Sequence, residues 1–312
     1  MTHLGNKSGP GRYVRSSLFG AGLAVILAMV WTAREDLITL LSTLHLGLMG
    51  LAILAGVILL FAQGVVFSVL MTKHGASAND RVLVAVFLVS QPGKYIPGKV
   101  WPVFLQAAAL GRGHGLARVA LANLELMAIN ILHMTGLGLA CLLVPEPVLA
   151  TVVVVATTLL GGAIVLMPTD RIAAHLPKPL QRRFGLEVIA ETQRHGRAKG
   201  RAMFLSAVLV GTNLLASLCV LYAIGEALPR DLYAPVLAIL YLGFAASILA
   251  LPVPAGLGVR EAASVGLGIL LVPEMPFQLI LSVALLARFW QLLTDSAVFA
   301  IGAAALQFSR QG

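Results

Sequence analysis

Three basic side chains lie where Pro and Gly interrupt long apolar segments, and their chemistry suits an anion. Lys94 and Lys99 lie in VSQPGKYIPGKVWP, residues 89–102, and Arg260 lies in LPVPAGLGVRE, residues 251–261. A helix that restarts after a break has unpaired N–H groups and a positive dipole at its first turn. The arginine fork suits two phosphate oxygens, whereas lysine acts as a point charge. We therefore predict that these three residues bind a phosphate.

The two interruptions have the same composition, which explains why a helix stops at each. Proline removes a backbone donor and disfavours helix before it, and glycine permits positive φ and close backbone approach. The break residues are Pro92, Gly93, Pro97 and Gly98 in the first segment and Pro252, Pro254, Gly256 and Gly258 in the second. Irregular backbone is tolerated at membrane depth only inside protein or beside a wet cavity. The alternative is that the lysines extend to the membrane interface and the prolines only turn the chain.

The last apolar segment carries a second group of candidates, since ionisable side chains within a membrane are costly. Arg288, Gln291 and Asp295 are spaced i, i+3 and i+7 and so share one helix face. Arg288 and Asp295 are roughly 10 Å apart by helical rise, so each is expected to have other partners. Glu261 and Glu125 are both candidate partners of Arg288. The alternative is a polar network that only holds helices together.

A further polar face lies on the apolar segment 118–144. Asn123, Glu125, Asn130 and His133 spread over about half of the helix circumference. Glu125 is the better candidate for proton coupling, because burial favours the neutral form of a carboxylate. We interpret His133 first as a structural hydrogen-bonding group and second as a proton carrier.

The composition identifies the elements that must position these residues as membrane helices. Of 312 residues, 59% are hydrophobic and 11% are charged, whereas soluble domains have about a quarter charged residues. Runs of about 20 apolar residues cross ~30 Å of hydrocarbon. We predict an all-α polytopic membrane protein with about six full spans. The predicted spans are 16–34, 44–72, 118–144, 147–167, 202–224 and 277–308.

The basic residues lie between apolar segments, which favours membrane orientation over nucleic-acid binding as the reason for the net charge of +9. The loop 168–201 is the most basic, so we assign it, the N-terminus and the C-terminus to the cytoplasm. The loop also mixes apolar and basic residues, so an amphipathic segment on the inner leaflet is the alternative to a solvated loop.

The two interrupted regions, 82–110 and 234–272, are predicted to be re-entrant hairpins of opposite orientation. Arg81 and Arg112 flank the first region and both should be cytoplasmic. Its arms would be 82–90 and 100–110. A single kinked span is the alternative for this region. In the second region the first arm, 234–251, is long enough to cross the membrane fully.

The order of spans and hairpins is the same in the two halves of this single membrane domain, 1–312. Residues 1–146 and 147–312 would therefore form an inverted-topology repeat. In such repeats, paired Gly/Pro-interrupted segments indicate a binding site near the bilayer midplane.

No sequence pattern indicates a metal or cofactor. The histidines and Cys141 and Cys219 have no metal-ligand spacing, and there is no P-loop or nucleophile elbow. We expect no cofactor and no metal.

The segments KYIPGKVW and PVPAGLGVREA resemble the lysylphosphatidylglycerol synthetase transmembrane-domain family. This is the membrane part of multiple peptide resistance factors and also occurs as stand-alone proteins. The resemblance covers 15–308, and one departure is Ala255, where a glycine is expected. Its most specific positions are Tyr95, Pro97, Gly98, Pro252, Pro254, Gly256, Gly258, Arg260 and Glu261.

The resemblance implies a stand-alone flippase or transporter in a bacterial or archaeal cytoplasmic membrane. Fused members continue into a soluble aminoacyltransferase domain, whereas this chain stops at Gly312, so we expect no synthetase activity. Its substrate would be an anionic lipid, either an aminoacyl-phospholipid or a polyprenyl-phosphate-linked glycan, and a separately encoded synthetase or glycosyltransferase is a candidate partner. Tyr95, Glu261 and Arg288 would complete the substrate-binding set, with Glu125, His133, Gln291 and Asp295 in charge pairing or proton coupling. Two alternatives stay open: a lipid-modifying enzyme with Glu125 or Glu261 as base, and a non-catalytic partner of a glycosyltransferase or synthetase. The oligomeric state is open as well.

Overall fold

The computed structural model describes residues 27–96, 100–111, 115–167, 199–224, 228–250 and 256–309, without the side chains of 199–201 and 309. Some predicted features lie outside the described residues. These are Pro97, Gly98, Lys99, Pro252, Pro254, most of the basic loop 168–201 and the first part of the span 16–34.

The described chain is helical and contains no strand. Its helices are α1 (Arg34–Ser42), α2 (Leu46–Lys73), α3 (Asp80–Val89), α4 (Trp101–Leu110), α5 (Leu116–Leu142), α6 (Pro147–Leu166), α7 (Lys199–Ala223), α8 (Tyr233–Leu249), α9 (Val259–Leu271) and α10 (Phe277–Ser309). Short 3₁₀ turns occupy Gln91–Tyr95 and Arg230–Leu232.

Six of the described helices are long and apolar enough to cross a membrane: α2, α5, α6, α7, α8 and α10. The all-α polytopic class is therefore confirmed. Five of these helices coincide with predicted spans. The sixth, α8, is the first arm of the interrupted region 234–272. Of the predicted span 16–34, residues 27–32 are helical, and a turn at Ala33 separates them from α1.

The first interrupted region folds back on itself as a hairpin. Asn79 caps α3 by accepting a hydrogen bond from Arg81 N at 2.9 Å, and Pro92 lies at the start of the 3₁₀ turn that ends the helix. Gln106 Nε2 donates to Ser90 Oγ at 2.8 Å across a separation of 16 residues. In a straight helix these residues would be ~24 Å apart. The arms therefore reverse direction at the tip, and their orientation to the membrane stays a prediction.

The second interrupted region also folds back on itself, with α8 packed on α9. Since α8 is long enough to cross a membrane, the re-entrant course of this region stays a prediction. A Cβ on Gly243 would overlap Ser264 Oγ and lie 3.2 Å from the carbonyl oxygen of Arg260, so the glycine permits close packing of the two arms. At the tip, Gly256 and Gly258 have φ of 65° and 78°, where side chains with a Cβ are strained.

The two hairpins pack in a reciprocal way. The first arm of each, α3 or α8, packs on the final long helix of the other half, α10 or α5. The second arm of each, α4 or α9, packs on the final long helix of its own half, α5 or α10. The helices α2 and α7 also pack against each other. Each of them is the long helix that precedes the hairpin of its own half.

The outer helices keep apolar surface exposed. In the most apolar stretch of α6, only 17% is buried inside the protein. Its exposed side chains include Val148, Val152 and Leu159. Such a surface is suited to contact with lipid tails.

Candidate functional site

The tips of both hairpins meet the same stretch of α10, residues 288–295, near the middle of that helix. From the first hairpin, Lys94 Nζ lies 2.8 Å from the carboxylate of Asp295. The Tyr95 hydroxyl donates to the same carboxylate at 2.5 Å. Lys94 and Tyr95 therefore fix the tip of the first hairpin to α10.

The second hairpin contacts the same face of α10 one and two turns earlier. Arg260 Nη1 donates to Gln291 Oε1 at 2.8 Å, and Arg288 forms an ion pair with Glu261. The other carboxylate oxygen of Glu261 accepts from the backbone N–H of Gly258 at 2.9 Å, which caps α9. Glu261, rather than Glu125, is thus the observed ion-pair partner of Arg288.

A cavity of about 300 Å³ lies beside this meeting point, lined by residues of both hairpins and of α2, α5, α7 and α10. Among the residues that the structure describes, the charged ones in its lining are Lys94, Arg260 and Asp295. Most of the other polar lining is carboxamide. These residues are Gln63, Gln91, Gln106, Asn123, Asn130, Asn213 and Gln291.

The two described cations of the cavity differ in how they are neutralised. Lys94 has Asp295 as its ion-pair partner. Arg260 is 6% exposed, and within the described ranges it forms no ion pair and its Nε has no hydrogen-bond partner. Its guanidinium lies over the ring of Phe244, 5.1 Å from the centroid. Arg260 therefore contributes a positive charge without a matching carboxylate contact.

The carboxamides also connect the first hairpin to α5. Asn123 Nδ2 donates to Gln106 Oε1 at 2.6 Å, and Gln106 in turn donates to Ser90. This chain of hydrogen bonds runs from α5 through α4 to the end of α3. It positions the tip that carries Lys94.

Glu125 belongs to a different buried cluster. Its carboxylate lies 2.8 Å from Lys73 Nζ and 3.3 Å from His74 Nε2, and Lys73 also donates to the carbonyl of Ile164 at 3.4 Å. Neither Glu125 nor Lys73 is among the residues that line the cavity.

His133 also lies outside the cavity lining. It is fully buried, and its Nε2 lies 2.9 Å from Ser206 Oγ. Ser206 donates to the Thr158 carbonyl at 2.8 Å. The side chain packs against Gly161, where a Cβ would overlap it. These contacts connect α5, α6 and α7.

The break residues that are described act through their backbone. A Cβ on Gly93 would lie 3.0 Å from Leu105 Cδ1 and from the nitrogen of Pro102, so α4 approaches the tip closely. Pro92 is the second residue of the 3₁₀ turn.

Sequence reasoning missed several polar residues of the site and of the Glu125 cluster: Gln63, Gln91, Gln106, Asn213, Lys73 and His74. Uncharged amides within apolar spans are also costly when unpaired. Applying that rule to amides as well as ionisable groups would have found Gln63 and Asn213. No group of three or more His, Cys, Asp or Glu side chains suited to a metal occurs in the described part of the chain.

A family model described as the lysylphosphatidylglycerol synthase TM region matches residues 19–298 of the chain. No curated protein and no solved structure matches the chain. The family match covers both hairpins and the part of α10 that they contact.

Proposed function

This chain belongs to the family of lysylphosphatidylglycerol synthase TM regions, and we propose that it is a flippase for an anionic, phosphate-containing lipid. The lipid would be an aminoacyl-phospholipid or a polyprenyl-phosphate-linked glycan, moved between the leaflets of a cytoplasmic membrane. The observation that carries this proposal is Arg260. It is buried beside the cavity at the meeting point of the two hairpin tips and has no ion-pair partner among the described residues.

Arg260 would hold the phosphate. Hydrogen bonds between guanidinium and phosphate are charge-assisted and strong. The cavity of about 300 Å³ is at the lower end of the range for small-molecule sites, so it suits a headgroup whose tails stay in the bilayer. Lys94 would contribute a second positive charge that Asp295 partly neutralises.

Transport would proceed by alternating access of the two halves, 1–146 and 147–312. The reciprocal packing of the hairpins supports an inverted-topology repeat. Each hairpin tip has its own polar contacts with α10. The contacts of one tip with α10 would therefore break while those of the other tip stay intact. The Lys73–Glu125 pair lies outside the cavity lining and has no part in this proposal.

The test is lipid scrambling in reconstituted vesicles. Phosphatidylcholine vesicles would contain a tail-labelled fluorescent phosphatidylglycerol, and dithionite added outside would quench only the outer leaflet. With the wild-type protein we expect label from both leaflets to be quenched. Arg260→Ala should slow scrambling by about tenfold or more, because a hydrogen bond to a charged group contributes ~1.5–3 kcal/mol.

The matched control is Arg81→Ala, which removes an exposed arginine at the start of α3. It should scramble as the wild type does. If Arg260→Ala reconstitutes in folded form and scrambles at the wild-type rate, Arg260 is not the phosphate ligand.

A further inference from the structure

We propose that the cavity selects a headgroup in which a phosphodiester carries an uncharged polyol, such as glycerol or a sugar, and that it disfavours an aminoacyl headgroup. This inference rests on the proposed function and narrows its substrate to uncharged polyol headgroups, against the aminoacyl-phospholipid. Two observations support it. One is the net charge of the described cavity lining, and the other is the set of carboxamide groups that have no hydrogen-bond partner among the described residues.

The charge of the lining matches one negative charge. Its described charged residues are the cations Lys94 and Arg260 and the anion Asp295, so two positive charges and one negative charge leave one positive charge. A phosphodiester carries one negative charge near neutral pH, whereas a phosphomonoester carries about 1.5 to 2. The lining therefore matches a diester better than a monoester.

An ammonium group would find no suitable partner in the described lining. Asp295 is its carboxylate, and that group is already contacted by Lys94 and by the Tyr95 hydroxyl. Binding an aminoacyl headgroup would also add one or two positive charges beside Arg260. Like charges at close range in a buried site are unfavourable.

The carboxamides have unused hydrogen-bonding groups. Gln63 Nε2 donates to Asn130 Oδ1 at 3.2 Å, Gln91 Nε2 donates to the Phe87 carbonyl at 3.1 Å, and Asn213 Nδ2 donates to the Leu209 carbonyl at 2.8 Å. Each of these contacts uses one of the two groups of the amide. Within the described ranges, the side-chain oxygens of Gln63, Gln91 and Asn213 and the side-chain amino group of Asn130 form no hydrogen bond.

Spare donors line the same cavity as these acceptors. Gln291 accepts from Arg260 and keeps its amino group. Arg260 Nε and Trp290 Nε1 are buried and have no hydrogen-bond partner in the part of the chain that the structure describes, and both residues line the cavity. The lining thus offers donors and acceptors together.

Of the phosphate, ammonium and hydroxyl groups of these headgroups, hydroxyls use both kinds of partner. A phosphate oxygen accepts and an ammonium donates, whereas each hydroxyl donates one hydrogen bond and accepts others. A site built to hydrogen-bond hydroxyls rejects analogues that lack them, because its buried polar groups are left unpaired. The donors near Arg260 would hold the phosphodiester, and the amides of Gln63, Gln91, Asn130 and Asn213 would bind the polyol.

The experiment measures binding of lipids that differ only in headgroup. The purified full-length protein in phosphatidylcholine nanodiscs would be titrated with phosphatidylglycerol, lysyl-phosphatidylglycerol, phosphatidylethanolamine and phosphatidic acid of equal acyl chains. Bound lipid would be read by native mass spectrometry. We expect phosphatidylglycerol to bind about tenfold or more tightly than the two ammonium lipids. A polyprenyl phosphohexose in a parallel titration distinguishes a glycerophospholipid from a polyprenyl source of the same chemistry.

A double variant tests the amides directly. Gln63→Leu with Asn130→Leu should lose the preference for phosphatidylglycerol over phosphatidic acid and still bind phosphatidic acid, which also shows that the variant is folded. Arg260→Ala should lose binding of both lipids.

The failure of this inference is distinguishable from that of the proposed function. If lysyl-phosphatidylglycerol binds as tightly as phosphatidylglycerol while Arg260→Ala still slows scrambling, the polyol assignment is wrong and the flippase proposal stands. If the double variant keeps the wild-type selectivity, the amides are only structural. If the wild type binds and scrambles none of the lipids, both proposals are wrong.

Discussion

At the scale of single residues, Lys94 and Arg260 show how the same charge can have different roles. Each lies in or just after a Gly/Pro break and each lines the cavity. Lys94 is 23% exposed and paired with Asp295, so it fixes a hairpin tip as well as adding charge. Arg260 is 6% exposed and has an amide partner and an aromatic ring. A ligand phosphate would gain most from Arg260, because among the described residues no carboxylate forms an ion pair with its guanidinium.

Glu125 provides a second test at the residue scale. Replacing it by Gln leaves the Lys73 ammonium, which is 14% exposed, without its carboxylate. Breaking a buried ion pair costs about 3–5 kcal/mol, so thermal unfolding in detergent should occur at a clearly lower temperature than in the wild type. The double variant Lys73→Met with Glu125→Leu should recover most of that stability, because it leaves no unpaired charge. A Glu125→Gln protein that is fully stable but does not scramble lipid would instead place Glu125 in proton coupling.

At the scale of elements, the α8–α9 hairpin depends on close contact between its arms. Gly243 permits that contact, since a Cβ there would overlap Ser264 Oγ and press on the Arg260 carbonyl. The same contact positions the first turn of α9, which carries Arg260 and Glu261. Packing in this hairpin and geometry of the candidate site are therefore coupled.

Gly243→Ala tests this coupling. The added methyl should destabilise the protein by about 1–3 kcal/mol through overpacking and should weaken lipid binding by shifting Arg260. The measurements are thermal unfolding and the nanodisc titration with phosphatidylglycerol. Gly266→Ala in α9 is the matched control, because a Cβ there meets nothing within 4 Å and alanine is favoured over glycine in a helix by about 1 kcal/mol. Equal behaviour of the two variants would show that the arms can separate without cost.

At the scale of the whole molecule, the two halves are connected by the packing of α3 on α10 and of α8 on α5. If transport requires the halves to move against each other, a covalent bond across one of these contacts should stop it. Gly302 of α10 faces α3, and a Cβ on Gly302 would lie 2.9 Å from Leu88 Cβ. This is shorter than the Cβ separation of ~3.5–4.5 Å in disulfides, so α3 and α10 must move slightly apart for a bond between these two positions to form.

We therefore expect the double variant Leu88→Cys with Gly302→Cys, made with Cys141 and Cys219 replaced by Ala, to lose scrambling on oxidation and to recover it on reduction. The two single-cysteine variants are the controls and should be insensitive to oxidant. Undiminished scrambling by the fully cross-linked protein would mean that α3 and α10 do not separate during transport.

The sequence by itself determined the class of protein and the position of its breaks. Long apolar runs require helices in a membrane, and Pro and Gly stop those helices near residues 92 and 256 whatever surrounds them. The arms 82–90 and 100–110 were accordingly placed within two residues of α3 and α4. These signals are local, because each depends on neighbours along the chain.

Only the tertiary structure decided which polar groups meet. Lys94 and Tyr95 contact Asp295 across about 200 residues of sequence, and Glu261 was one of two equal candidates for Arg288 until the packing of α9 on α10 selected it. The amides of the cavity come from several helices, and no periodicity within one helix indicates that they share a surface. Partner choice depends on distances between helices, and those distances are set by side-chain packing over the whole molecule. For the same reason the sequence could place Arg260 in a break but could not show that its charge has no matching carboxylate contact.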